Sequence, residues 1–186
     1  MKKPWSISTT VRNPERLREF LRVLKTLEGQ KFDVSNQEKY QILLIQERLY
    51  LPSNIPPKYQ SLFDDLGQKI PFEVAKEVFN HQNYKAPAMR GRQSANPLNK
   101  LGFCIARENY DVIKITKLGN FFLTEDYDVS KVFLKSLLKL QFPNQWSDKF
   151  NDESGFNISP FVAVLHFLNK VGSLNRDEFC LFVPTL

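Results

Sequence analysis

Apolar residues recur at helical spacing along most of the chain, and the breaks in that rhythm mark out its elements. The first stripe is Leu17, Phe20, Leu21, Leu24 and Leu27. Asn13 and Pro14 ahead of it supply a cap and a first-turn proline, Glu15 places an acid near the positive helix end, and Gly29 closes the element. Upstream, Trp5 to Val11 is rich in β-formers and predicts a short strand. A second helix is expected from a cap near Asn36 to about Leu51, with Tyr40, Leu43, Leu44 and Tyr50 apolar and Ile42 and Ile45 widening the stripe. Pro52, Pro56 and Pro57 interrupt it; Tyr59 to Leu66 predicts a short helix stopped by Gly67. Pro71 opens another, with Phe72, Ala75, Val78 and Phe79 facing inward.

The pattern changes from Lys85 to Thr124. Lys85, Arg90, Arg92, Gln93, Ser94, Asn96, Asn99 and Lys100 crowd into one polar, cationic segment that ends near Gly102. Two short apolar runs follow, Phe103 to Ala106 and Val112 to Ile115, separated by the turn-prone Arg107-Glu108-Asn109-Tyr110-Asp111. That is the signature of a β-hairpin. Thr116 then caps an amphipathic segment from Lys117 to Leu123. A polar helix, a hairpin and a further helix form the second half of a winged helix, in which the polar helix enters a DNA groove and the hairpin flanks it.

Beyond the hairpin, Asp128 or Ser130 is expected to cap a helix to Leu140 with Val132, Phe133, Leu137, Leu138 and Leu140 apolar and Lys131, Lys135 and Lys139 exposed. Gln141 to Asn157 lacks periodicity. Ser159-Pro160 opens a helix through Val171 that Gly172 closes, and Asn175 to Glu178 has capping-box spacing before Phe179, Cys180, Leu181 and Phe182. The expected fold is mainly α with a small β component: a winged-helix unit over 1–141, a linker over 142–157, and an incomplete second helical unit over 158–186.

Composition changes this picture in one respect. Hydrophobic residues at 42% and charged residues at 25% are ordinary for a globular chain. The net charge of +6 favours an anionic partner. The basic face of the first helix (Arg16, Arg18, Arg22 and Lys25) is either solvated or a phosphate-tracking stripe contiguous with Arg12. Cys104 and Cys180 both lie inside apolar runs, which predicts reduced, core-packed thiols. No long apolar run follows Met1-Lys2-Lys3-Pro4-Trp5, so neither a signal peptide nor a membrane span is expected and the cytoplasm is the default compartment.

Several chemistries lack their residues. His81 and His166 are isolated from each other and from the cysteines at ligand spacing, and no glycine-rich phosphate loop is present. Metal-dependent nucleases of the restriction type place an acid two positions before a lysine on a strand, so that the carboxylate binds Mg²⁺ beside the base. None of the 20 acidic residues has lysine two positions later.

Trp5-Ser6-Ile7-Ser8-Thr9-Thr10, Arg12-Asn13-Pro14-Glu15 and Leu24 through Glu28-Gly29 resemble the N-terminus of AlwI-type restriction endonucleases, a family that includes BstNBI-like nicking enzymes. Gly102-Phe103, Ile115-Thr116-Lys117-Leu118-Gly119, Val132-Phe133-Leu134-Lys135, Gln141-Phe142-Pro143 and Ile158-Ser159-Pro160 to Lys170-Val171-Gly172 extend the resemblance in order along nearly the whole chain. It implies a bacterial type IIS recognition region built of winged-helix-like units, which reads a short asymmetric site in double-stranded DNA. In such enzymes a separate C-terminal domain cleaves with Mg²⁺. The expectation is therefore a recognition fragment, or a truncated or split product, that binds DNA and does not cut it alone, with no cofactor of its own.

Side-chain chemistry assigns the roles. Arg90, Arg92, Gln93, Asn96 and Asn99 carry groups that read base edges, arginine on guanine and asparagine or glutamine on adenine. Lys2, Lys3, Arg12, Lys85, Lys100, Arg107, Lys114 and Lys117 are candidates for phosphate contact, with Thr10 and Ser94 adding neutral bonds. A different class remains open: a winged-helix scaffold without DNA readout, its apolar end (Phe179, Leu181, Phe182, Val183 and Leu186) covered by a second copy or by a missing C-terminal nuclease part.

Overall fold

A computed structural model describes residues 13–124, 128–142 and 158–182. The strand expected over Trp5 to Val11 and the linker over 143–157 lie outside these residues. The described residues divide into two compact units between Val129 and Ser130. The sequence places its break later, beyond residue 141.

The first unit begins with α1 (Pro14–Lys25), where the Asn13 side chain accepts from the Glu15 backbone N–H at 2.9 Å. Leu17, Phe20, Leu21, Leu24 and Leu27 are all buried, as their spacing predicts. Gly29 at φ +82° then turns the chain in a conformation that side chains with a Cβ rarely adopt. Helix α2 (Val34–Gln46) is capped by Asp33, not Asn36: the Asp33 carboxylate accepts from the Asn36 N–H at 3.0 Å. Asn36 instead donates to Lys31 O.

Helix α2 also stops short of the expected Leu51. Arg48 sits at φ +56°, and its guanidinium donates to the carbonyls of Leu62, Phe63, Asp65 and Gln68 at 2.7–3.0 Å. These carbonyls lie at the end of α3 (Pro57–Asp64) and just beyond it, where helical acceptors lack intrahelical donors. One side chain thus turns the chain out of α2 and satisfies the next helix end. Helix α4 (Phe72–His81) follows. Ile42 and Ile45 from α2 join Phe63, Ile70, Ala75, Val78 and Phe79 in a hydrophobic cluster. The residues that widened the α2 stripe serve this second face.

Helix α5 (Pro87–Lys100) packs more extensively against α2 than any other pair of elements does. The polar segment is therefore a core helix on one side, with Ala88, Gly91, Ser94, Ala95, Pro97, Leu98 and Asn99 buried. The hairpin pairs β1 (Cys104–Ile105) with β2 (Lys114–Ile115) antiparallel, Cys104 opposite Ile115 and Ile105 opposite Lys114. The chain after α1 adds a partial third strand: Gly29 N–H donates to Ile113 O at 2.9 Å and Ile113 N–H to Gln30 O at 2.8 Å. The Glu28 carboxylate accepts from Ile115 N–H at 2.8 Å. Thr116 caps α6 (Lys117–Leu123), whose Phe122 stacks on Phe103 at 4.4 Å between centroids.

In the second unit, α7 (Val129–Lys139) starts immediately after Asp128, so Ser130 lies inside the helix. Phe142 and Ile158 exchange two backbone hydrogen bonds of 2.7 and 2.8 Å. Helix α8 (Pro160–Val171) ends at Gly172, and Asn175 caps α9 (Arg176–Phe182) in the expected box, its own N–H donating to Glu178. Among its described residues, burial in this unit is confined to α7 and the residues just after it, with Val132, Ser136, Leu140 and Phe142 covered. No residue of α8 is buried, and Leu165, Val171, Phe179 and Leu181 are exposed. Cys180 is exposed as well, against the core packing its apolar run predicted, because α9 lies on the surface.

Gly91 is where α2 and α5 come closest. A Cβ there would sit 2.0 Å from Gln37 O and 2.7 Å from its carbonyl carbon, both backbone atoms that cannot swing aside. Gly91→Ala should destabilise the protein by at least the upper end of the roughly 1–3 kcal/mol typical of overpacking. Thermal unfolding followed by circular dichroism would register this as a Tm loss of about 6–12 °C.

Candidate nucleic-acid interface

The packing of α5 decides which of its polar residues can meet a partner. Asn99 cannot: its Nδ2 donates to Ala95 O and Ala106 O, each at 3.1 Å, and its Oδ1 accepts from Ala106 N–H at 2.8 Å. It lies one turn before the hairpin and fastens the entry of that hairpin to the helix. A base-contacting role for Asn99 is incompatible with this burial. Ser94 is turned inward likewise, donating to Gln41 Oε1 at 2.8 Å, and has no surface for a phosphate.

The two arginines separate. Residues two apart on a helix lie about 200° apart around its axis, and Arg90 and Arg92 follow that rule. Arg90 is half-buried with its guanidinium 4.4 Å from the centre of the Tyr84 ring, on the side of the α4–α5 turn. Arg92 is exposed on the hairpin side, where its Nη1 donates to Glu108 Oε1 at 2.8 Å. The expectation of one arginine-rich face therefore reduces to a narrower edge. Arg92, Gln93 and Asn96, with Met89 exposed and Lys100 half-buried, follow one outward stripe of α5.

Around this stripe, Lys85 is exposed ahead of α5, Lys114 is exposed on β2, and Lys117 is exposed at the start of α6. Arg107 is half-buried at the hairpin turn. Lys2, Lys3, Thr10 and Arg12 lie outside the described residues. The basic face of α1 is largely engaged within the unit. Arg16 donates to Leu49 O, Arg18 lies 5.5 Å from the Phe122 ring centre, Arg22 pairs with Glu19, and Lys25 donates to Asn120 at 2.9 Å. Its cations mostly bind groups of their own unit.

Glu108 and Gln37 were missed at the level of sequence. Glu108 Oε1 accepts from Gln37 Nε2 at 2.9 Å as well as from Arg92. Gln37 is fully buried, and the same Nε2 donates to Phe32 O at 2.7 Å. The available signal was the polar Gln37 inside the apolar stripe of α2; nothing local linked it to a turn 71 residues on.

Burial pushes the Cys104 thiol far above its ordinary range, with the Arg107 charge opposing. Burial, then the Tyr50 hydroxyl, lifts Tyr84 to about 12, against the pull of Arg90. Among the described residues no three of His, Cys, Asp and Glu come together to hold a metal ion. No helix among them is long and apolar enough to cross a membrane.

The class defined by this architecture is a mainly helical protein with one small antiparallel hairpin beside its central helix. A family model described as AlwI restriction endonuclease matches residues 99–186, and this match supports membership of the chain in the AlwI-type family. The match suggests a restriction–modification role, and restriction endonucleases as a family act on DNA. No curated protein matches the chain. The matched segment takes in the end of α5, the hairpin and α6 to α9, whereas Arg92, Gln93 and Asn96 precede it.

The two thiols should separate chemically. With native protein near pH 8, Ellman's reagent is expected to titrate Cys180, and Cys180→Ser to abolish that signal, while Cys104 reacts only after denaturation. Both Cys104 and Tyr84 have folded pKa values above their unfolded ones. Their contribution to stability is complete below the unfolded values, about 8.5 for the thiol and about 10 for the phenol, and is lost as pH rises beyond them. Tm should therefore hold up to about pH 8 and fall above about pH 9, with a shallower early fall in Cys104→Ala.

Proposed function

We propose that this chain binds double-stranded DNA in a sequence-selective manner, as the recognition part of a type IIS restriction or nicking system. The outward edge of α5 enters the major groove and the β1–β2 hairpin lies along the adjoining backbone. One observation carries this reading: Arg92 on the helix and Glu108 on the hairpin turn are hydrogen-bonded at 2.8 Å, so the two elements form a single edge. Arg92, Gln93 and Asn96 then contact bases, and Lys85, Lys114 and Lys117 contact phosphates.

The order of elements supports a winged-helix reading of the unit. Helix α1, the extended Gly29–Gln30 segment, α2, α5 and the two hairpin strands succeed one another as in that fold, with α3 and α4 inserted before the recognition helix. The inserted pair has its own cluster against α2, so it buttresses α2 without covering the outward stripe of α5. Cleavage requires Mg²⁺ chemistry that this reading assigns to a separate nuclease domain, in a bacterial cytoplasm.

A second reading is favoured by the exposed Leu165, Val171, Phe179 and Leu181: a scaffold module that docks another protein and does not read DNA. Fluorescence anisotropy on labelled duplexes over a salt series separates the two. Lys114→Ala with Lys117→Ala should weaken binding to every duplex alike and reduce the slope of log K against log salt by about 0.9 for each phosphate left unneutralised. Arg92→Ala should cost roughly 1–3 kcal/mol on the preferred sequence and little on others. Absence of salt-dependent binding to any duplex would overturn the DNA reading and leave the scaffold one.

A further inference from the structure

Glu108 presents a difficulty for any DNA-facing surface, because it places a carboxylate where phosphates must pass. Its side chain and that of Arg92 are each 45% exposed, so the pair sits at the rim of the unit and not in its core. An exposed ion pair of this kind adds little to stability. Yet Glu108 is not free to move away: its Oε1 is also held by the buried Gln37 Nε2, which is anchored in turn on Phe32 O. A chain of hydrogen bonds therefore runs from the core of α2 through the hairpin turn to the guanidinium of Arg92.

We infer that Glu108 is a specificity-determining positioning residue, which holds Arg92 for a guanine edge and keeps it off the phosphate backbone. The inference rests on the DNA-binding reading given above. With Nη1 occupied by Glu108, the Nε–Nη2 edge of Arg92 makes no hydrogen bond with the described residues. Two adjacent N–H donors are what the O6 and N7 acceptors of guanine require. An arginine already fixed at one nitrogen loses less side-chain freedom on binding, which favours a contact of defined geometry. The carboxylate supplies the repulsive half of selectivity, since an arginine left unpartnered would bind any phosphate within reach.

The test uses a pool of duplexes with a randomised ten-base-pair core, bound by the whole chain and sequenced. Wild type should enrich a motif with guanine at one position that Arg92→Ala renders indifferent. Glu108→Ala should lose about tenfold of the preference at that same position while binding scrambled duplex more tightly. Arg92→Ala with Glu108→Ala should lose no more there than Arg92→Ala alone, since the two act as one unit. Glu108→Gln, which keeps the acceptor and removes the charge, should fall between wild type and Glu108→Ala. Unchanged Tm in each variant shows that the fold is intact. If Glu108→Ala keeps the wild-type motif while Arg92→Ala loses it, the positioning role is wrong and DNA reading stands. If wild type enriches no motif, both are wrong.

Discussion

The constraint on which the rest of the structure depends is the close approach of α5 to α2 at Gly91. With a hydrogen where any other residue has a Cβ, the helix rests directly on the backbone of Gln37. That approach sets how deep α5 sinks, and depth decides which of its polar residues remain outside. Beside it lies a polar seam: Gln37 and Gln41 from α2, Ser94 and Asn99 from α5, all buried. Burying such groups is costly unless they find partners. The bonds from Ser94 to Gln41 Oε1 and from Asn99 to the hairpin backbone supply most of them, while Gln37 Oε1 and Gln41 Nε2 stay without one among the described residues. Apolar side chains could pack in several registers. This seam, with its directional bonds, favours one.

From that register the position of the hairpin follows. Asn99 bonds both polar groups of Ala106, just after β1, and Glu28 takes the N–H of Ile115 on β2. Gly29 and Gln30 pair with Ile113 between them. The hairpin has only two residues in each strand, too few for independent stability. It is held from both sides by α5 and by the tail of α1, with Phe103 stacked on Phe122 of α6 beneath. A small ribbon fixed in this way can present side chains at a set distance from the neighbouring helix. A free hairpin could not.

Much of this was legible in the sequence because it rests on local chemistry. Asn13-Pro14, Thr116, Ser159-Pro160 and the Asn175–Glu178 box gave helix starts, and Gly29, Gly102 and Gly172 gave ends at positive φ. The hairpin followed from two apolar runs around a polar turn. What escaped was set by tertiary contact. Arg48 ends α2 by reaching carbonyls fourteen to twenty residues on, which no local rule anticipates. Asn99 looked like a reader of bases because asparagine is polar, whereas its burial depends on where α5 rests. Arg90 and Arg92 were grouped by proximity in sequence, and helical geometry sends them to different neighbours, Tyr84 and Glu108. The core packing expected of Cys180 failed for the same reason: apolar composition says that a surface prefers cover, not that its own chain provides it.

Net charge is a poor guide to where this protein meets an anion. Its basic residues include Arg16, Arg18, Arg22, Lys25, Arg48 and Arg90, whose side chains bind carbonyls, carboxylates, an amide or aromatic rings of the same unit. Such internally engaged cations still raise the potential around the molecule, and so the rate of encounter with DNA. They make no direct claim on a phosphate. If the proposed DNA reading holds, selectivity would come from the few donors that the packing leaves accessible, which on α5 are Arg92, Gln93 and Asn96. On the DNA-binding reading proposed above, the acid beside Arg92 is then a consistent part of the arrangement: the charge of the whole chain supplies general attraction, and the Glu108 contact restrains one guanidinium that would otherwise bind any phosphate.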